Sequence, residues 1–166
     1  TGATDNTAII QYLLETYKEL SGSNDDIYMV SNVNATVTTK INNINFKSLP
    51  DAIGICVLIS TNNALISNVN IDGNQWNYTV AVEQKGLQIN GDNASLNNVK
   101  TFNCTHEGLT IYGNNGKAVN CSFDNNVNLG MISYATNGWK WANCTFDNNG
   151  YGFQKTRTSP ADDSHD

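Results

Sequence analysis

Three polar side chains are suited to proton transfer, namely Asp72, His106 and Glu107. Carboxylic acids and imidazoles are the usual general acids and bases of enzymes, and an imidazole changes its charge near neutral pH. His106 is the only histidine within the repeats described below that has a carboxylate beside it in sequence. The pattern predicts a candidate acid/base set. The competing interpretation is a solvated turn in which His106 and Glu107 have no catalytic role.

Two tyrosines recur at a spacing that favours a binding surface. Tyr112 and Tyr134 occupy equivalent positions of two successive repeats, and Gln88 and Gln154 belong to the repeats on either side. Aromatic rings pack on the apolar faces of sugar rings, while side-chain amides exchange hydrogen bonds with hydroxyl groups. These four residues are predicted to bind a glycan. Alternatively, the tyrosines form a cross-strand pair that only stabilises a sheet.

A second group of candidate glycan-binding residues lies where one repeat is longer than the others. The interval from Asn63 to Asn93 exceeds the interval from Asn93 to Asn115, although these asparagines are equivalent in the pattern. Insertions in a regular scaffold are common places for function. Asn74 and Trp76 are therefore predicted to contact the glycan. The alternative is a polar excursion with Trp76 folded back onto the protein.

One pair of carboxylates indicates a metal site. Asp124 and Asp147 occupy equivalent positions of adjacent repeats, so their backbones would lie about 4.8 Å apart. Like charges at this distance repel each other unless solvent screens them or a cation bridges them. Calcium binds six to eight oxygen atoms, and asparagine side chains nearby would supply some of them. No cofactor is required, and Ca²⁺ at this pair is the one ion that the sequence suggests.

Two cysteines share a column of the repeat. Cys121 and Cys144 follow Val69 and Val99 in the same inward position. Their expected Cα separation of about 4.8 Å lies within the range of a disulfide. Buried thiols in place of valines pack equally well, and we expect Cys121 and Cys144 to be reduced.

A regular sequence repeat defines the elements that must position these side chains. Glycines recur at a constant interval, and each opens a short apolar pattern such as the Gly-Leu-Gln-Ile of residues 86–89. Alternation with a period of two predicts short strands, and asparagine tolerates the left-handed turns between them. The repeating residues are Gly86, Gly108, Gly130 and Gly152, with asparagine columns Asn63, Asn93, Asn115, Asn137; Asn68, Asn98, Asn120, Asn143; and Asn103, Asn125, Asn148. The sequence therefore predicts an all-β solenoid of about five stacked coils with asparagine ladders along its turns.

The apolar pattern also predicts which residues face outward. In each Gly-Leu-x-Ile strand the third residue should point away from the core, and these residues are Gln88, Thr110, Ile132 and Gln154. None of these side chains is a general acid or base. This face is therefore not expected to carry catalytic groups.

The two ends of the chain differ from the repeat. Residues 1–22 predict a capping helix, because Ile9, Leu13, Tyr17 and Leu20 recur at helical spacing after Thr4 or Asp5 as the N-cap. Residues 23–155 form the coils, and residues 156–166 are a polar tail of the same single domain. Thr1 is not an initiator methionine, so the chain is expected to be processed or cut from a longer one. Missing residues or another chain would then close the far end.

Composition excludes two classes of function. The 166 residues carry 9 basic and 15 acidic side chains, for a net charge of −6. A nucleic-acid partner is not expected, because it requires a basic surface that neutralises phosphates. The longest apolar run, residues 53–59, is far shorter than the roughly 20 residues that span a bilayer, so membrane insertion is not expected either.

Two segments resemble a known family. Residues 4–11, Thr-Asp-Asn-Thr-Ala-Ile-Ile-Gln, resemble the entry helix of the pectin-lyase-like right-handed parallel β-helix proteins. Within that superfamily, phage tailspikes and polysaccharide depolymerases are the most similar in character. Residues 71–74, Ile-Asp-Gly-Asn, resemble a coil of alginate epimerases and many tailspikes. The resemblance covers most of residues 4–155 and implies a right-handed single-stranded parallel β-helix.

The resemblance also implies a function outside the cell. It suggests an extracellular or virion-surface protein that engages a polysaccharide, with the homotrimer common among tailspikes. Enzymes of this type are polysaccharide lyases, glycoside hydrolases or epimerases acting on acidic or cell-surface glycans, and Asp72, Glu107 and His106 would then be the acid/base groups. Thr110 departs from the epimerase pattern, which places an aspartate there. The alternative is a non-catalytic adhesin, structural spike or assembly segment, which the lack of outward carboxylates favours.

Overall fold

The computed structural model describes residues 4–23, 26–37, 39–50, 52–75, 83–134 and 136–156, with the backbone alone for 153–156. Strands dominate these residues, and the helix α1 (Thr7–Tyr17) precedes all of them. The strands are β1 (Glu19–Ser21), β2 (Ile27–Val30), β3 (Val33–Ala35), β4 (Lys40–Ser48), β5 (Gly54–Ile59), β6 (Leu65–Asp72) and β7 (Gln84–Ile89), followed by β8 (Ser95–Phe102), β9 (Leu109–Ile111), β10 (Lys117–Val119), β11 (Ser122–Phe123), β12 (Leu129–Tyr134), β13 (Lys140–Ala142) and β14 (Tyr151–Thr156). The all-β prediction is confirmed.

The strands form two parallel sheets. The first sheet has the order β1-β4-β6-β8-β10-β13, with β2 beside β4 and β11 beside β8. The second sheet has the order β14-β12-β9-β7-β5-β3. From β3 onward the chain passes from one sheet to the other and back, and every pair of neighbouring strands is parallel. Residues one repeat apart therefore lie side by side.

The strand register follows the repeat, including the longer one. Leu109 pairs with both Leu87 and Met131, which occupy the same position one repeat before it and one repeat after it. In the longer unit, Val69 pairs with Val99, so the extra residues leave the register intact. Because length is absorbed between strands, equivalent side chains form continuous files along both sheets.

The apolar core consists of such files. Ile41, Ile66, Leu96 and Ala118 are register partners on successive strands of the first sheet, and all four are buried. Burying aliphatic side chains contributes about 25 cal/mol per Å² of apolar surface removed from water. A single short coil cannot hide its own apolar face, so stacking of neighbouring strands provides the stabilisation.

Asparagines adopt the left-handed conformation at the corners. Lys18 aside, every non-glycine residue with a positive φ in the described part of the chain is an asparagine. These include all predicted members of two columns and three of the four in the column that begins at Asn63. The exception is Asn137, where the neighbouring Gly138 has a φ of 73° instead. Asparagine is among the few residues that occupy this region readily.

Side-chain ladders join several of these asparagines. Asn68 Nδ2 donates to Asn43 Oδ1 at 3.0 Å, and Asn98 Nδ2 donates to Asn68 Oδ1 at 3.0 Å. Asn143 and Asn120 are linked in the same way at 3.2 Å. In the column of Asn103, Asn125 and Asn148, the backbone makes the link, since Asn103 N–H donates to the Asn125 carbonyl at 3.1 Å. The predicted hydrogen bonding between stacked asparagines is therefore present.

The N-terminal helix is shorter than predicted and buries partly different residues. It ends at Tyr17, because Lys18 takes a left-handed φ of 58°, and Leu20 lies on β1. Ile10 and Leu14 are its buried residues, whereas Ile9 and Tyr17 are exposed. The predicted apolar face is correct for Leu13, which packs against the core, and for the buried Leu20, and it is wrong for the exposed Ile9 and Tyr17.

The helix pairs with the edge strand of the second sheet. Gln11 Oε1 accepts a hydrogen bond from Asn34 N–H at 2.7 Å, and Gln11 Nε2 donates to the Asn34 carbonyl. The side-chain amide thus satisfies the backbone groups that an additional strand would satisfy. No helix in the described part of the chain is long and apolar enough to cross a bilayer.

Candidate functional site

The site is built on an interruption of strand alternation in the second sheet. A Cβ atom on Gly108 would meet Asn126 Nδ2 and Thr101 Oγ1 at 2.6 Å, and both of these residues are buried inside. Leu109, the next residue, also belongs to the core. Two consecutive residues therefore face the interior, and the residues on either side of them, Glu107 and Thr110, face away from it.

The predicted outward positions of the Gly-Leu-x-Ile strands are not exposed. Thr110 and Ile132 lie outside the main core cluster, yet they are buried, and Gln88 is half-buried. None of these three side chains is a general acid or base, and Glu107 directly precedes Gly108 at the start of the same segment. The expectation that this face carries no catalytic group stays a prediction.

Glu107 lies between a lysine and a histidine. Its side chain is only 2% exposed, and its Oε2 is 3.4 Å from Lys85 Nζ. Its Oε1 is 2.6 Å from His106 Nδ1, although the angle is not that of a hydrogen bond. Lys85 precedes Gly86 as Glu107 precedes Gly108, so the lysine and the carboxylate come from adjacent coils. A buried carboxylate is stable in its charged form only with such partners.

His106 extends this cluster toward the surface. Its Nε2 is 3.3 Å from Asn128 Nδ2 and 4.0 Å from the exposed carboxylate of Glu83. The imidazole therefore touches a buried carboxylate with one nitrogen and an amide with the other. His106 and Glu107, predicted as an acid/base pair, are brought together, and their role in proton transfer stays a prediction.

The two predicted tyrosines form a stacked pair beside this cluster. The ring centroids of Tyr112 and Tyr134 are 4.8 Å apart and the rings are 7° from parallel. Tyr112 is 45% exposed. Burial raises the pKa of Tyr134, and the neighbouring Tyr112 and Glu107 raise it further, while Lys85 opposes them. The tyrosines, Glu107 and Lys85 thus share one electrostatic environment.

The two predicted glutamines flank the tyrosine pair in the register. Gln88 pairs with Thr110 on β9, and its Nε2 donates to Asn90 Oδ1 at 2.8 Å. Gln154 pairs with Ile132 through its backbone, and its side chain lies outside the described residues. Gln88 therefore presents an amide next to Tyr112, whereas the role of Gln154 stays a prediction.

Asp72 belongs to a different environment. It lies at the end of β6 in the first sheet, where its Oδ2 is 3.2 Å from Lys47 Nζ. Its Oδ1 accepts hydrogen bonds from the Asn74 backbone at 2.8 Å and from Asn103 Nδ2 at 3.2 Å. Asp72 shares none of these partners with Glu107. The three predicted acid/base residues therefore do not form one cluster.

Of the two residues predicted on the insertion, the structure describes Asn74 alone. Asn74 is 3% exposed and donates through Nδ2 to the Ser48 carbonyl at 2.9 Å. This amide links two neighbouring strands of the first sheet, and contact of Asn74 with a glycan stays a prediction. Trp76 lies outside the described residues.

The carboxylate of Asp124 is engaged by hydrogen-bond donors. It accepts hydrogen bonds from Ser122 Oγ at 2.5 Å, Thr145 Oγ1 at 2.7 Å and the backbone N–H of Asp147 at 2.7 Å. The described residues include no cluster of three histidine, cysteine or acidic side chains suited to a metal ion. Calcium at Asp124 and Asp147 stays a prediction.

All four cysteines are free thiols. Cys121 and Cys144 donate weakly to neighbouring carbonyl groups, with Cys121 Sγ 3.3 Å from the Val119 oxygen. Burial raises the pKa of Cys121 to about 11 and that of Cys56 to about 12. These thiols are protonated at neutral pH and are poor nucleophiles.

Lys85 and Lys47 were not identified from the sequence as parts of a site. Each lysine pairs with a carboxylate one coil further along the chain, since Lys47 is the register partner of Asp72, and Lys85 and Glu107 precede equivalent glycines. A lysine and a carboxylate separated by one repeat length would have identified both ion pairs from the sequence. Comparison of the chain with known protein families, curated proteins and solved structures gives no match.

Proposed function

We propose that the protein is a right-handed parallel β-helix that binds a polysaccharide along the outer face of its second sheet, outside the cell or on a virion surface. The observation that carries this proposal is the stacked pair of Tyr112 and Tyr134, 4.8 Å apart, in the same electrostatic environment as Lys85 and the buried Glu107. Exposed aromatic rings beside amides and paired charges are typical of sites that bind sugar rings.

The geometry of the tyrosine pair supports this binding mode. Tyr134 stacks on one ring face of Tyr112, which is 45% exposed, and Gln88 on the neighbouring strand β7 donates a hydrogen bond to Asn90. A sugar ring packed on the exposed part of Tyr112 would bring its hydroxyl groups toward these amides. Equivalent side chains are stacked across successive strands of the second sheet. A linear glycan that follows this stack would therefore extend over several strands.

Turnover of the bound glycan is the second candidate function. Glu107 favours it, because a carboxylate that is 2% exposed and has an imidazole nitrogen at 2.6 Å is more than a stabilising surface charge. In this mechanism His106 exchanges a proton with the glycan, Glu107 orients the imidazole, and Lys85 lies beside Glu107 as its counter-charge. The products would identify a lyase, a hydrolase or an epimerase. Binding without turnover would instead identify an adhesin or structural spike.

The test is a panel of acidic and neutral polysaccharides. Affinity electrophoresis measures binding, and ultraviolet absorbance of unsaturated products or new reducing ends measures turnover. We expect Tyr112→Ala to weaken binding at least tenfold and Tyr12→Ala, a change of an exposed tyrosine on α1, to leave it unchanged. Equal affinity of both variants would refute the binding face.

Turnover is assigned by a separate pair of variants. Glu107→Gln removes the charge with little change of shape, and Glu83→Gln is its control on an exposed carboxylate near the same histidine. Loss of turnover with retained binding in Glu107→Gln supports the catalytic candidate. Light scattering of the same samples tests the expected homotrimer.

A further inference from the structure

A groove on the outer face of the first sheet lies apart from the proposed glycan surface. It encloses about 390 Å³, a volume within the range of small-ligand sites. Its lining combines amides, charges and apolar groups: Asn45, Lys47, Asn70, Asp72, Lys100 and Phe102, with Ile27 at one edge. These residues come from the strands β2, β4, β6 and β8, which lie side by side.

The polar groups on one side of the groove are held in place. Asn70 Nδ2 donates to Asn45 Oδ1 at 2.7 Å, and Lys47 Nζ lies 3.2 Å from Asp72 Oδ2. Asp72 is fixed in turn through its second oxygen by Asn103. Groups that are already ordered lose little conformational entropy when a ligand binds, which favours specific recognition.

Lys100 supplies a positive charge that is not neutralised. It is the register partner of Asn70, and it forms no ion pair with any residue in the described ranges. The carboxylate of Asp124, which directly follows the neighbouring strand β11, accepts hydrogen bonds from Ser122 and Thr145. An anionic group on a ligand would complement this ammonium group.

Apolar side chains complete the groove. Phe102 is half-buried and pairs with Asp72, and Ile27 is 62% exposed beside Asn45. An aromatic ring flanked by amides and a lysine matches a sugar acid, whose ring has an apolar face, hydroxyl groups and one carboxylate.

We propose that this groove binds a carboxylated sugar unit of an acidic polysaccharide. The carboxylate pairs with Lys100, the ring packs on Phe102, and hydroxyl groups bond with Asn45, Asn70 and Asp72. This inference rests on the proposed function for the class of ligand, but it assigns a separate site. A glycan that reaches both sheets would be held at two points along the molecule.

A uronate fits better than other anions. Nucleic acids and anionic membranes carry dense negative charge, and a protein with a net charge of −6 and a groove containing Asp72 would repel them. A uronate chain has one charge per sugar, and at roughly one sugar per inter-strand spacing of about 4.8 Å its charges lie further apart than those of duplex DNA, at about 1.7 Å. One free lysine in the groove pairs with one such carboxylate.

The experiment compares binding of oligogalacturonate with binding of a neutral oligosaccharide of equal length, by isothermal titration calorimetry. Lys100→Met removes the charge and keeps the length of the side chain. Lys117→Met is the matched control, since Lys117 is exposed on β10 of the same sheet but does not line the groove. Tyr112→Ala in parallel removes the proposed surface on the second sheet.

We expect Lys100→Met to weaken oligogalacturonate binding about tenfold and Lys117→Met less than twofold. Phe102→Leu, with an unchanged circular dichroism spectrum, should weaken it to a similar extent. Equal effects of the two lysine variants would overturn the site, as would equal affinity for the neutral oligosaccharide or tighter binding of inorganic phosphate, single-stranded DNA or anionic vesicles. A loss of binding in Tyr112→Ala alone would support the proposed function and refute this groove.

Discussion

Lys85 and Glu107 form an ion pair that joins two coils of the chain, with Lys85 Nζ 3.4 Å from Glu107 Oε2. The carboxylate is almost fully buried, while the lysine keeps about a fifth of its surface in water. The pair stands on the outer side of the second sheet, not in the core. Removing Lys85 would leave the buried carboxylate of Glu107 without its permanent cation, with the imidazole of His106 still beside it.

Lys85→Met should therefore destabilise the protein. We expect the free energy of unfolding to fall by about 3 kcal/mol, because Glu107 loses its counter-charge. Urea denaturation at neutral pH measures this change. The exposed Lys117→Met should change it by less than about 0.5 kcal/mol, and an equal effect of both variants would contradict the buried pair.

The double variant Lys85→Met/Glu107→Gln should recover part of this loss. A neutral amide in place of the carboxylate no longer requires a cation, so the two changes should be non-additive by about 1 kcal/mol or more. Urea denaturation of the two single variants and the double variant gives this coupling. Strict additivity would mean that the two side chains do not interact.

Removing Lys85 and removing Glu107 should shift the pKa of Tyr134 in opposite directions. Burial, Tyr112 and Glu107 raise the pKa of Tyr134, and Lys85 lowers it. Glu107→Gln removes a negative charge that disfavours the phenolate, so the pKa should fall, whereas Lys85→Met should raise it. Ultraviolet titration, with Tyr134→Phe identifying the signal, measures both shifts. Shifts of the same sign in the two variants would contradict this geometry.

The stability of the protein should fall in alkaline solution. Burial raises the pKa of Cys121 from its ordinary 9.0 to about 11. Between these values the folded state keeps a proton that the unfolded state has lost, so stability decreases as pH rises. Cys121→Val, which extends the file of Val69 and Val99, should flatten this decline while preserving stability at pH 7. Urea denaturation from about pH 8 to about pH 11 tests it. An unchanged slope would contradict the raised pKa.

The asparagine ladder should carry measurable stability. Asn68 has a φ of 53° and forms ladder hydrogen bonds to Asn43 and from Asn98. Asn68→Ala should cost about 3 kcal/mol, from roughly 1–2 for the left-handed backbone and about 1 for each lost hydrogen bond. Asn68→Gly should cost about 1 kcal/mol less, because glycine adopts this conformation freely.

Urea denaturation separates these contributions when Asn97→Ala serves as the control. Asn97 is exposed on the same sheet and does not have a positive φ. If Asn97→Ala proved as costly as Asn68→Ala, the ladder would not be a source of stability.

The spacing of residues predicted the parts of the fold that depend on stacking. Because parallel strands pair residues one repeat apart, the sequence period alone placed Tyr112 beside Tyr134 and Leu87 beside Leu109. The left-handed asparagines were equally predictable, since few other side chains accept that conformation.

The candidate site depended on features that a period-two pattern does not contain. Gly108 has no side chain to reveal that it faces inward, so the inward pair of Gly108 and Leu109, and with it the outward position of Glu107, had no signal in hydropathy. The end of α1 escaped prediction for a similar reason, because Lys18 takes a left-handed conformation that its residue type does not suggest.

The strands pair in the same register across the longest repeat as across the shorter ones. The number of residues between two strands therefore does not determine how these strands align. Val69 still meets Val99 although this unit is longer than its neighbours, so the connection from Gln75 to Glu83 can change in size without displacing either sheet. An insertion between these two strands would therefore keep the register partners of both sheets in place. Chain length can vary at this point of the sequence without a change in which residues stack on one another.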